Sequence, residues 1–259
     1  MNDRRNLNLF LLGFLAVFSL MTAIVFADSD EPYGVRTIEY IDSSRPNEST
    51  YVPDDIGAEA GNVTEINLTA ISTTKAWAGF YGNISGVITL EDALGYVFYN
   101  WTANEPKGEV YASFNDSVTW ADIVCFEFDG SNGNFDVDAA EGWYGIENDD
   151  EDGINETFTD DTNIAFQVGT VSIVANTCPA TNTYRDGQQQ VNEDFENVLL
   201  TDQDVLVFTT IIENNEADNA TDITGYDARE HDFQLLVAEN GQDGFEDGTT
   251  TYYFWAEIE

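Results

Sequence analysis

Positive charge is almost missing from this 259-residue sequence: eight lysines and arginines and one histidine face 49 aspartates and glutamates, a formal net charge of −41. Such a surface repels phosphate, which excludes nucleic acid and anionic lipid headgroups as partners held by a basic patch. The lone histidine, His231, leaves little general-base chemistry, and the Gly-x-Ser-x-Gly turn of an activated serine is absent. A glycosidase-type carboxylate pair needs only two acids about 5–9 Å apart, a distance no sequence displays. The expectation is that the chain is not an enzyme and that His231 is a strand-end residue held by Glu230 and Asp232.

Cysteine is nearly as scarce. Two residues, Cys125 and Cys178, exclude a disulfide-dense scaffold and supply too few soft ligands for a structural zinc site. In an exported chain the pair implies one disulfide, the alternative being two free thiols. No apolar run of spanning length follows residue 27.

What precedes residue 27 reads as a secretory signal. Asp3, Arg4 and Arg5 form a charged start, residues 9–27 are apolar apart from Ser19 and Thr22, and Val25-Phe26-Ala27 fits the positions a signal peptidase reads. Cleavage after Ala27 places the rest outside the membrane, at an extracellular or cell-surface location. Retention of the segment as an anchor is the alternative, since 19 residues nearly span a bilayer. Without the leader, which carries a net +1, the chain holds −42. Apolar residues at 42% nevertheless argue for a buried core rather than disorder. That combination matches proteins adapted to high salt or divalent cations.

Short alternating runs rich in Val, Ile, Thr and aromatics occupy residues 63–71, 86–90, 96–101, 109–114, 164–174, 198–200, 204–212, 233–237 and 252–258. About nine strands at this spacing predict an all-β fold, a β-sandwich or jelly roll over residues 61–259. Residues 91–95 form a hairpin loop and 242–248 a longer one, while 117–123 suit one short helix capped by Ser117. Residues 28–60 hold three of five prolines and one strand candidate, 34–41, and read as an arm or linker. Such an arm either pairs with the sheet edge of a neighbouring subunit or forms an ordinary first edge strand.

Residues 129–161, dense in Asp, Asn and Gly, look like a long acidic loop insertion. Within it Asn148, Asp150 and Asp152 stand at the first, third and fifth places of a calcium loop, ahead of Gly153. The twelfth place is Thr159 rather than Glu, so the pattern is not a standard EF-hand but an isolated calcium loop, with calcium the one cofactor it suggests. Eight Asn-x-Ser/Thr acceptors begin at Asn47, Asn62, Asn67, Asn83, Asn100, Asn115, Asn155 and Asn219. Random placement gives roughly three, so the excess points to N-glycosylation, with Asn67 and Asn83 beside strands where burial could block them. Of the tryptophans, Trp77, Trp101, Trp120 and Trp255 are expected in the core, as aromatics at alternating strand positions are, and Trp143, in the acidic insertion, is not.

The stretches Gly61 to Thr69, Trp77 to Gly86 and Tyr99-Asn100-Trp101, with Gly225-Tyr226-Asp227, His231-Asp232-Phe233-Gln234 and the closing Thr251-Tyr252-Tyr253-Phe254-Trp255, resemble a family of secreted archaeal proteins without characterised function. The resemblance covers most of residues 61–259 and excludes the arm; residues 129–161 are unusually acidic for it. It implies an exported archaeal surface protein with no catalytic residues to carry over. The expected function is therefore a glycosylated structural protein, a surface-layer or filament subunit that associates with itself or with other surface proteins. The alternative is an extracellular carbohydrate- or partner-binding module that uses exposed aromatics. The charge imbalance carries a prediction. Tertiary structure is lost well below molar salt, where the screening length grows beyond about 3 Å, and a circular-dichroism melt identical in dilute buffer and strong brine contradicts this.

Overall fold

The computed structural model describes residues 31–45, 55–103, 106–159, 162–189, 194–213, 223–239 and 249–258. The leader 1–27, the loop 242–248, Asn47 and Asn219 lie outside the described residues. The fold is all-β and sandwich-like. Its strands are β1 (Tyr33–Gly34), β2 (Trp77–Gly82), β3 (Gly86–Glu91), β4 (Val97–Ala103), β5 (Gly108–Ser113), β6 (Val124–Cys125), β7 (Phe166–Val168), β8 (Val171–Ile173), β9 (Ala180–Asn182), β10 (Glu196–Thr201), β11 (Leu206–Ile211), β12 (Phe233–Ala238) and β13 (Tyr253–Ile258). Two short helices, α1 (Val137–Trp143) and α2 (Ile154–Thr157), fall in the acidic stretch.

The main sheet runs β1-β13-β5-β11-β10-β6, with β9 also on β10. Period-2 alternation divides its central strands between two cores. Val110, Ala112, Leu199, Leu206 and Phe208 face one side, where the β12–β2 pair contributes Leu235 and Val237. Tyr111, Val198, Leu200, Val207 and Trp255 face the other, covered by the β7–β8 hairpin and the 3-10 turn Trp120–Asp122. Phe208 sits fully buried on the central strand β11, with the rings of Trp77, Tyr144, Phe158 and Tyr252 centred 6.2–6.3 Å away. Four chain segments distant in sequence thus meet on one side chain.

The outer edge of β10 is completed by two strands too short to stand alone. β6 pairs with Leu200 and Thr201, β9 with Glu196 to Val198. Between them Leu199 donates to the carbonyl of Pro179 (2.9 Å) and accepts from the Phe126 N–H (3.1 Å). The Cys125–Cys178 disulfide closes this junction across 53 residues of sequence. A loop of that size contributes on the order of 4 kcal/mol in the chain-entropy account.

Several sequence expectations change. Residues 63–71 alternate like a strand but form none, and every one of them is exposed; alternation says which side chains share a face, not that a partner edge exists within the chain. The run 164–174 is two strands, because Gly169 turns left-handed (φ 56°) between β7 and β8. The helix expected over 117–123 reduces to Trp120–Asp122, since the Ser117 N–H is taken by Asn115 Oδ1 and the Thr119 N–H by Asp202 Oδ2. Strand β2 went unanticipated because Gly79 and Gly82 punctuate its aromatic pattern. The arm's strand shrinks from 34–41 to Tyr33–Gly34 and adds to β13 of its own sheet, so the arm forms an edge strand in cis.

The described part of the acidic stretch, 129–159, is a folded cover rather than a free loop. Asp136 caps α1 through the Ala139 N–H (3.0 Å), and Ala140, Tyr144, Ile146, Ile154 and Phe158 enter the core. Trp143 stays 39% exposed while its ring packs on Phe135 and Phe114.

Asn197 joins the layers. Its buried amide accepts from the Leu236 N–H (2.8 Å) and donates to the Gln234 carbonyl (2.9 Å), doing for the inner edge of β12 what a neighbouring strand would do. Substitution Asn197→Leu, which leaves the Leu236 N–H buried without this partner, is expected to cost about 2–4 kcal/mol. Thr210→Val should cost less, because Gln234 keeps Asn197. Denaturant midpoints measured in brine check both, and equal costs contradict the account.

Candidate functional site

The β3–β4 ribbon is the least expected feature. It pairs Ile88 with Trp101 and Leu90 with Tyr99 on one face, and Val87 with Thr102 and Thr89 with Asn100 on the other. The Asp92 carboxylate shapes its turn by accepting from the Leu94 and Tyr96 N–H groups (both 2.9 Å), and the register shifts at Leu90/Glu91 just before it. Both outer edges are unpaired among the described strands. Its large apolar side chains are exposed, from 44% at Ile88 to 84% at Phe98. A ribbon of two strands is marginal alone in water, and an apolar face of this size on a monomer marks a contact surface.

Charge distinguishes the ribbon further. Residues 86–103 contain two charged residues, Glu91 and Asp92, both at the turn, in a chain where 49 of 259 residues are acidic. Asn100 lies on the face opposite Ile88, Leu90, Tyr99 and Trp101. A glycan there would leave the face of Ile88, Leu90, Tyr99 and Trp101 open and share its own face with Val87 and Val97.

Of the other acceptors, Asn62, Asn67 and Asn83 are exposed, so strand burial does not block Asn67 or Asn83. Asn115 and Asn155 are half-buried. Asn115 Oδ1 is engaged by the Ser117 N–H (3.0 Å), and Asn155 Oδ1 is buried without a hydrogen-bond partner.

The expected calcium loop folds onto itself. Asp150 accepts from the Glu147 N–H (2.8 Å), and the Asp152 carbonyl accepts from Trp77 Nε1 (2.6 Å), while Asn148 is exposed in the turn. Among the described residues no three His, Cys, Asp or Glu side chains gather closely enough to hold a metal ion. Oxygens converge instead around Gly153. A Cβ added there would meet Glu156 Oε2 at 2.5 Å, Glu141 Oε1 at 2.8 Å and Asn155 Oδ1 at 3.3 Å. Burial raises the Glu141 carboxyl above its ordinary value; the Ile154 N–H opposes the rise and Glu156 adds to it. Glu141 caps the start of α2 through that N–H (2.8 Å). No loop motif reveals this arrangement, because Glu141 belongs to α1.

A second cluster surrounds His231. Its Nε2 lies 2.9 Å from Asp227 Oδ1, so the partner is Asp227, four residues back, rather than Glu230 or Asp232. Asp232 instead accepts from the Ile84 N–H (2.6 Å). Desolvation pushes the Asp227 carboxyl upward, but bonds from Arg229 and His231 outweigh it and hold it below its usual value. The half-exposed rings of Tyr81 and Tyr226 meet edge to face at 5.0 Å, and Tyr81 packs 4.8 Å from His231. A hydrogen bond with Tyr81, together with burial, pushes the Tyr226 phenol up to about 12. Gln234 ties the neighbouring loops by accepting from the Tyr226 N–H (2.7 Å) and donating to Thr183 and Tyr184. Gly225 is required there, since any Cβ would strike His231 and Gln234.

One pair of acids is buried together. Glu109 and Glu257 face each other across β5 and β13, 6% and 3% exposed, with the Tyr111 hydroxyl 3.4 and 3.3 Å from them. Glu257 also accepts from the Gly169 N–H (2.9 Å) and so holds the β7–β8 hairpin down. In this arrangement neither carboxylate opens to a substrate, and the pair acts as a fastening.

No protein family, curated protein or solved structure matches this chain. Among the described residues no helix is long and apolar enough to cross a membrane.

Glu213, next to the Arg185–Asp194 ion pair, generates a pH prediction. Burial pushes its carboxyl from 4.5 up to about 7, helped by Asp194 and Glu196 and opposed by the Phe195 N–H. The fold therefore favours the protonated form, and this contribution is whole below pH 4.5 and lost as pH rises through 7. Glu213→Gln should remove that decline and raise stability at pH 8 by about 1–3 kcal/mol. Unfolding free energies against pH in high salt check it, and parallel profiles for both proteins contradict it.

Proposed function

We propose that this chain is an exported, N-glycosylated structural protein of a cell surface, a surface-layer or filament subunit adapted to high salt or divalent cations. One observation supports it above the others. A polyanion keeps a ribbon almost free of charge, turns its apolar face outward and carries the Asn100 acceptor on the opposite face. Copies with a charge of this size repel each other except where both surfaces are neutral and salt screens the rest. Divalent cations such as calcium lower the repulsion between acidic faces, and the turn that carries Asn148, Asp150 and Asp152 adds oxygens to one of them. Ile258 of β13 lies against Gly86 at the start of β3, which ties the ribbon to the seven-stranded sheet. The archaeal origin and signal cleavage belong to the same reading, with the leader removed and no membrane contact afterwards.

A second reading, an extracellular carbohydrate- or partner-binding module, draws on the Tyr81, Tyr226, Asp227 and Arg229 cluster. It combines two half-exposed aromatic faces with a cation in a chain that has few. The two readings part experimentally. Native glycosylated protein in brine with calcium should form ordered sheets or fibres by electron microscopy and loosen on chelation. Protein that stays monomeric there and is retained by a glycan array, with retention lost in Tyr81→Ala, supports the binding module instead.

A further inference from the structure

Resting on the self-assembling reading, we propose that residues 62–71 of one copy add as a third strand to the β3–β4 ribbon of a second copy. The segment has the alternation of a strand and no strand partner among the described residues. Val63, Ile66, Leu68 and Ile71 are all exposed, at 50% or more. Its ten residues exceed the ribbon's strands of six and seven, so residues 64–70 are enough to run the length of the ribbon. Both ribbon edges have no strand partner among the described residues, and such edges are the usual template for strand addition.

The occupant is a second copy because both surfaces answer the same electrostatic constraint. Residues 61–74 contain one charge, Glu65, and the ribbon has its two at the turn. The contact therefore brings together the parts of two polyanions that repel least. Register follows from the pleat. With Ile66, Leu68 and Ala70 on the face of Ile88, Leu90, Tyr99 and Trp101, the acceptor Asn67 falls on the face of Asn100. A one-residue slip would put Asn67 into the apolar face, so the pattern selects one register. The resulting sheet has three strands, with Ile66, Leu68 and Ala70 extending the face of Ile88 and Tyr99 and with Asn67 beside Asn100 on the other; Asn62, on the first face, lies at the end of the segment, beyond the reach of strands of six and seven residues.

Donor and acceptor are different surfaces of the same chain, so the contact is head to tail and stays open unless the rotation closes a ring. A filament is the natural product. The arm strand β1 is fixed in cis on β13, whereas residues 63–71 are exposed throughout and belong to no strand.

Two full-length glycosylated variants test the proposal in molar salt with calcium: Ile66→Asp with Leu68→Asp for the donor, Ile88→Asp with Trp101→Asp for the acceptor. All four positions are exposed, and unchanged near-UV circular dichroism confirms the body is folded. Each variant alone should need about tenfold or more protein to assemble, and an equimolar mixture should stop at the heterodimer in sedimentation velocity. If the donor variant assembles like the unaltered chain while the acceptor variant does not, the strand-addition proposal fails and the structural function stands, with ribbon faces stacking on each other. If both variants fail and their mixture does not pair, the proposal also fails, because residues 62–71 then act elsewhere. If the unaltered chain is monomeric and either shields residues 62–71 from exchange in cis or cosediments with lipid vesicles or another surface protein through the ribbon, the second-copy assignment is overturned. If it is monomeric throughout with neither behaviour, the proposed function itself falls.

Discussion

Self-repulsion is the constraint on which the rest depends. A formal charge of −41 spread over 259 residues must be kept apart, screened or neutralised before any apolar surface can close. The fold deals with it by segregation. Strands β10 and β11 carry one acid between them, Glu196, and their remaining side chains are apolar, hydroxyl or amide. The acids concentrate in the connections and in the cover over residues 129–161. Where carboxylates do enter the interior they are tied down: Glu141 caps a helix, Asp232 holds the Ile84 N–H, and Glu257 holds the β7–β8 turn.

Segregation of charge also shapes the architecture. The acidic cover reaches the core by placing Ala140, Tyr144, Ile146, Ile154 and Phe158 between its acids, and Phe208 gathers Tyr144 and Phe158 with Trp77 and Tyr252. On the opposite edge, where β6 and β9 are two and three residues long, the disulfide supplies continuity that hydrogen bonding over so few residues cannot. Asn197 plays a comparable part between layers. Covalent and amide fastenings substitute at the seams for longer strands, in a body whose Arg36 pairs with Glu91 and whose Ile258 lies against Gly86 while the large apolar side chains of the ribbon stay exposed.

The pattern of legibility follows the same physics. Strands β3 to β5 and β10 to β13 were readable because one face of each is polar or differs in size from the other, so alternation survives in the sequence. The disulfide was readable from the count of cysteines. Strands β6 and β9 were not, since they exist only because β10 offers an edge and Cys125 meets Cys178. The acidic cover was misjudged because its few buried residues are outnumbered by acids at positions that face solvent. The His231 partner was missed for a local reason: Glu230 and Asp232 are adjacent, yet the turn through Ala228, at φ 62°, brings Asp227 round instead. Residues 63–71 were read as a strand, and their periodicity remains the best argument that they become one on contact.

The central claim is that the neutral ribbon and the neutral segment before it form the contact between copies. Amide hydrogen exchange followed by mass spectrometry, comparing assembled native protein with its monomer at the same salt and pH, tests this most directly. The account predicts that residues 62–71 and 86–103 exchange at least about a hundredfold more slowly in the assembly, with the main sheet equally protected in both. Unchanged exchange across these two segments, with new protection on an acidic face, would contradict it.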